Sequence, residues 1–94
     1  MKTILLLEDL PEIRAWLRAL VMQVFPGSTV VESARVHDAL QQVTAHRFDL
    51  AMIDLGLPDG SGVKVVQALR ESQPDAQSVV VTIHDDDEHL FPAL

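Results

Sequence analysis

Phe48-Asp49-Leu50-Ala51-Met52-Ile53-Asp54-Leu55-Gly56-Leu57-Pro58-Asp59-Gly60-Ser61-Gly62 is the stretch on which the fold turns. Its first six residues form an apolar run broken only by Asp49. A run this short and this apolar reads as a strand buried on both faces, as in a parallel sheet. It ends on a carboxylate, Asp54. Pro58, Gly60 and Gly62 then mark residues 55–62 as a loop.

Upstream, the same pattern appears once before. Ile4-Leu5-Leu6-Leu7 is a second short apolar run, and it too closes on acid, Glu8-Asp9. Pro11 suits the first turn of a helix, where its missing N–H costs nothing, with Asp9 or Leu10 near the cap. Ile13, Leu17, Leu20 and Val24 follow at helical spacing, Trp16 and Val21 widen the stripe, and Arg14 and Arg18 lie on another face. Pro26-Gly27 stops this helix. Thr29-Val30-Val31-Glu32 reads as a strand, and Val36, Ala39, Leu40 and Val43 as a short helical stripe.

Downstream, Val63, Val66 and Leu69 give a third helix that closes near Gln73-Pro74. Residues 78–83 are a fourth strand, and Asp85-Asp86-Asp87-Glu88 looks like the acidic start of a fourth helix. Strands alternating with helices imply an α/β fold, a doubly wound parallel sheet covered on both faces. Right-handed crossovers fix its winding. No internal repeat, linker or low-complexity segment interrupts the order.

The 94 residues fit one domain, residues 1–94, of marginal size for independent stability. The absence of cysteine excludes disulfides, thiolate metal sites and thiol nucleophiles. Seven basic against 14 acidic residues give a net charge of −7, which argues against direct contact with nucleic acid. It suits a divalent cation, or simply an acidic surface. No apolar run approaches the roughly 20 residues of a membrane span. Glu8 and Asp9 interrupt the apolar start before it could serve as a signal peptide. A cytoplasmic location with no membrane contact is therefore expected.

In open parallel sheets, ligands bind beyond the carboxyl ends of the strands. Glu8, Asp9 and Asp54 all fall at such ends. If the two strands are neighbours, the three carboxylates crowd into one place and repel. A hard divalent ion such as Mg²⁺ relieves this, since it takes oxygen ligands from one or two carboxylates, water and phosphate. A carboxylate beside it can act as a nucleophile toward phosphorus. Against this, a lone aspartate at a strand end is ordinarily a turn or cap residue, and Asp9 could cap the first helix.

Leu5-Leu6-Leu7-Glu8-Asp9, the stretch Asp54-Leu55-Gly56-Leu57-Pro58-Asp59-Gly60-Ser61-Gly62 and Val79-Val80-Val81-Thr82 resemble, in order and spacing, the marker segments of response regulator receiver domains. The resemblance implies a flavodoxin-like sheet of order 2-1-3-4, with the family's fifth strand and fifth helix missing. It implies that Asp54 is the phosphoacceptor, that Asp9 ligates Mg²⁺ directly, and that Glu8 does so through water. Gly56 would lend a backbone carbonyl to the metal, Pro58 and Gly62 would shape the loop, and Thr82 would be the hydroxyl that bonds a phosphoryl oxygen.

The family usually carries a lysine after a fifth strand, and the lysines here are Lys2 and Lys64. Ile83 stands where a small residue is common, His84 at a variable position, and Pro92 inside the expected fourth helix. The resemblance implies a phosphorylation switch rather than an enzyme, with a histidine kinase or phosphotransfer protein as donor. A DNA-binding domain could follow in a longer chain. The alternatives are an interaction or dimerisation module that works without phosphotransfer, and a Mg²⁺-dependent phosphohydrolase. Hydrolases of that kind commonly carry a second acid shortly after the nucleophile, where Gly56 stands. The uncharged run Val79-Val80-Val81 at a sheet edge is also expected to promote self-association.

Overall fold

The computed structural model describes residues 2–81. Five elements precede the acceptor loop: β1 (Thr3–Leu7), α1 (Pro11–Val24), β2 (Thr29–Ser33), α2 (Val36–Ala45) and β3 (Leu50–Ile53). A two-residue pair, β4 (Gly56–Leu57) and β5 (Gly60–Ser61), follows within the loop, then α3 (Val63–Ser72) and β6 (Gln77–Val80). The four long strands form one parallel sheet of order β2-β1-β3-β6. The expected α/β sheet is therefore present; its fourth long strand, expected over 78–83, covers Gln77–Val80 and lies at the edge among the described residues. Thr82, Ile83, His84, the acidic run 85–88 and Pro92 lie outside the described residues.

The two apolar runs become the two central strands, as continuous apolarity requires of strands covered on both faces. Ile4, Leu5, Leu6, Leu7, Ala51 and Ile53 are essentially inaccessible to solvent. One core face joins Leu5, Leu7 and Ile53 to Val36, Ala39 and Val43 of α2 and to Val65 and Leu69 of α3. Asp49, the polar break in the third run, fastens the entry of β3 to β1. Its N–H donates to the Thr3 carbonyl at 2.8 Å, and its Oδ2 accepts the Thr3 N–H at 2.8 Å.

Two helical faces differ from the sequence expectation. On α1 the buried residues are Leu17 and Val21, while Trp16, Leu20 and Val24 are exposed. Leu20 and Val24 border an open hollow shared with Leu50, Met52 and Val79, so that part of the stripe has no cover among the described residues. On α3 the buried pair is Val65 and Leu69, and Val63 is exposed because it is the first helical residue. Phe48 is buried but precedes β3; its N–H goes to the Gln73 side chain rather than into the sheet. No helix among the described residues is long and apolar enough to cross a membrane.

Candidate functional site

Glu8 and Asp54 are the residues that follow the adjacent partners Leu7 and Ile53 in the β1–β3 register. Each is fixed by its backbone: the Glu8 N–H donates to the Ser33 carbonyl and the Asp54 N–H to the Leu7 carbonyl, both at 3.0 Å. The shared register therefore brings the two carboxylates out side by side at one end of the sheet. One carboxylate oxygen each from Glu8, Asp9 and Asp54 lies within 4.8 Å of the others. Glu8 is 2% exposed and Asp54 6%, so both acids sit where water screens them poorly.

Burial is the main cause that pushes the Glu8 carboxyl up to about 8, followed by hydrogen bonding to Asp54 and repulsion from Asp54 and Asp9. The Asp9 N–H, which donates to Glu8 Oε2 at 3.1 Å, opposes that shift. A group of acids that holds a proton this tightly is one whose charge a cation would stabilise. The donor set consists of carboxylate oxygens, as hard divalent ions prefer. Asp9 does not cap α1: the cap position is Leu10, and no side chain bonds the helix start.

The loop after Asp54 is tied down at both ends. The Gly56 N–H donates to Asp54 Oδ1 at 3.3 Å. The Gly62 N–H donates back to the Leu55 carbonyl at 3.0 Å. A Cβ on Gly62 would collide with the Asp54 carbonyl and lie 2.7 Å from Ile53 Cγ2, so only glycine lets α3 start this close to β3. Thr82 lies outside the described residues.

Two side chains near the site escaped the sequence reading. Arg14, placed simply on the polar face of α1, donates from Nη1 to the Glu8 carbonyl at 2.8 Å. Its Nε lies 3.3 Å from Glu32, which also holds Arg18 at 2.7 Å. Asp59, read as a loop residue, accepts hydrogen bonds from two N–H groups of α2. Arg35 before Val36 was the available sign, since a helix that lacks a capping side chain of its own needs one from elsewhere. A hollow of about 580 Å³ lies elsewhere, between the C-terminal ends of α2 and α3, and none of the three acids borders it.

The model of the response regulator receiver domain matches residues 4–94. The chain belongs to this family. A curated relative, the DNA-binding transcriptional activator DevR/DosR of Mycobacterium tuberculosis, is 34% identical over 65 residues, 69% of this chain and 30% of the relative. The matched segment thus spans less than a third of that protein. Among solved structures, a response regulator from Burkholderia pseudomallei with a phosphorylated aspartic acid, calcium ion and citrate is 29% identical. The match covers 87% of this receiver and 47% of that chain, with a TM-score of 0.73. The fold is also that of the response regulator TrrA of Thermotoga maritima, solved in complex with the histidine kinase ThkA. That likeness has 23% identity, a TM-score of 0.71, and covers 100% of this receiver and 99% of the other chain.

Proposed function

We propose that residues 1–94 are the receiver of a two-component phosphorelay, and that Asp54 accepts a phosphoryl group from a histidine kinase or phosphotransfer protein. The observation that carries this reading is the convergence of Glu8, Asp9 and Asp54 within 4.8 Å at the ends of two adjacent parallel strands. Asp9 would ligate Mg²⁺ directly, with Asp54 and the Gly56 carbonyl beside it and Glu8 acting through water. Bound there, the metal would neutralise the acids and the charge on the transferring phosphoryl oxygens. An Asp54 carboxylate oxygen forms the new bond to phosphorus as the donor's bond to it breaks. The Gly56 N–H holds that carboxylate in place. Thr82 would supply the hydroxyl that bonds a phosphoryl oxygen.

The phosphorylated aspartic acid of the Burkholderia protein and the kinase complex of TrrA support the donor and acceptor roles by analogy. The match to a DNA-binding activator supports a role in transcription, with the signal passing from the receiver to another part of a longer, cytoplasmic protein. The hydrolase reading is weaker, because Asp59 is the nearest acid after Asp54 and its oxygens are engaged at α2. A role in self-association has one observation in its favour. All four residues of β6 are exposed, and among the described residues that strand has a neighbour on one side only.

The test is the intact mass of the full-length protein after incubation with Mg²⁺ and acetyl phosphate. One phosphoryl adduct, lost in Asp54→Asn, is expected. No adduct in folded protein would leave the interaction module as the better reading, and steady turnover of a phosphoester would favour the hydrolase.

A further inference from the structure

The first N–H groups of a helix have no partner within it. At α2 the cap position is Arg35, extended at φ −140° and ψ 153°, and it offers no side-chain bond. Asp59 takes its place from 22 and 23 residues further along the chain: Oδ1 accepts the Val36 N–H at 2.8 Å and Oδ2 the His37 N–H at 3.0 Å. These N–H groups, His37 first, hold the Asp59 carboxyl below its ordinary range, so the cap is an anion at the positive end of a helix. Asp59 stands with Pro58 at the tip of the β4–β5 pair. Gly60 beside it has φ +146°, a conformation that L side chains rarely adopt. The acceptor loop is therefore anchored at its base, where Gly62 meets Asp54, and at its tip, on α2. Gly56 lies between the two anchors, with its N–H on Asp54.

We propose that Asp59 is a positioning residue for the phosphoacceptor site: by capping α2 it fixes the loop that carries Gly56 beside Asp54, and so makes the first turn of α2 respond to occupancy of the acidic cluster. This rests on the metal-assisted receiver reading above. Asp59 stands outside the converging group, which is Glu8, Asp9 and Asp54, and its two oxygens face α2 instead. The coupling is reciprocal: what the acidic site gains from the cap, the cap gains from an occupied site.

Amide spectra of the full-length protein during titration with Mg²⁺ alone test this. In the wild type the Gly56, Val36 and His37 signals should move together with one midpoint. In Asp59→Ala the Gly56 signal should still move, the two α2 signals should stop responding, and the midpoint should rise at least threefold. Asp59→Asn keeps one good acceptor and should fall between; it carries the comparison where the alanine variant does not fold. Val36 and His37 signals that ignore Mg²⁺ in the wild type, or an unchanged midpoint in Asp59→Ala, would make Asp59 a plain helix cap and overturn the proposal. A wild type whose Gly56 signal ignores Mg²⁺ would instead overturn the reading beneath it.

Discussion

Glu8 is the side chain whose chemistry departs furthest from its ordinary form. Its carboxyl is raised from 4.5 to about 8 by burial and by its acidic neighbours. The unfolded chain releases that proton near 4.5, whereas the folded chain keeps it. The stability this contributes is complete below about 4.5 and is lost as pH rises through about 8. A cation bound at the three acids must displace the same proton. We therefore expect Mg²⁺ binding at pH 7 to release protons, and its affinity to rise with pH. Calorimetry in two buffers of different ionisation heat reads the release, which should vanish in Glu8→Gln. Heats independent of buffer would contradict it. Gly62 acts through space rather than charge. A Cβ there meets the Asp54 carbonyl and Ile53, so Gly62→Ala should cost about 1–3 kcal/mol in a denaturant melt. Unchanged stability would mean that α3 can shift away from β3. Glu8, Asp9 and Asp54 could be read as a group from their places after apolar runs. The restriction at Gly62 could not, because it depends on how near α3 comes to β3.

The elements show where sequence periodicity suffices and where it stops. The first three long strands stand on apolar or β-branched runs, β6 ends on one, Pro11 and Pro26 bracket α1, and Pro74 follows α3. Leu17 and Val21 of the α1 stripe are buried, but how much of the stripe is covered was not legible, because Trp16, Leu20 and Val24 keep helical spacing whether or not anything covers them. The closing of α3 shows a second limit. Pro74 announces the helix end, but Gln73 before it is a buried fastener. Its Oε1 accepts the Phe48 N–H at 2.7 Å, and its Nε2 donates to the carbonyls of Val43 at 2.9 Å and His46 at 2.7 Å. Those partners lie 25 to 30 residues away in sequence, so no local pattern predicts them. Gln73→Leu would strand buried backbone groups and should lower stability by about 1–3 kcal/mol, read as a lower melting temperature. Asp54 chemistry in the folded variant should persist, since these contacts lie away from the acids. A melting temperature equal to wild type would show that water replaces all three bonds.

At the scale of the whole molecule, the sheet order β2-β1-β3-β6 is what puts Glu8 and Asp54 next to each other. The alternation of strands and helices implied a parallel sheet, but strand order came only from resemblance to receivers, because periodicity does not say which strands are neighbours. The order also leaves β6 with one partner among the described residues, and Val79 and Val80 are 45% and 46% exposed. Such an edge is a template for pairing with another chain. A polypeptide of residues 1–94 should self-associate at high micromolar concentration in sedimentation runs, and Val79→Lys should reduce this. A folded monomer under those conditions would count against it. Mapping the phosphoryl group tests the acceptor directly. The full-length protein is incubated with Mg²⁺ and acetyl phosphate, its acyl phosphate is reduced with borohydride, and the modified peptide is sequenced by mass spectrometry. The predicted result is modification at Asp54 alone, absent without Mg²⁺. Modification at Glu8 or Asp9, or none in folded protein, would contradict it.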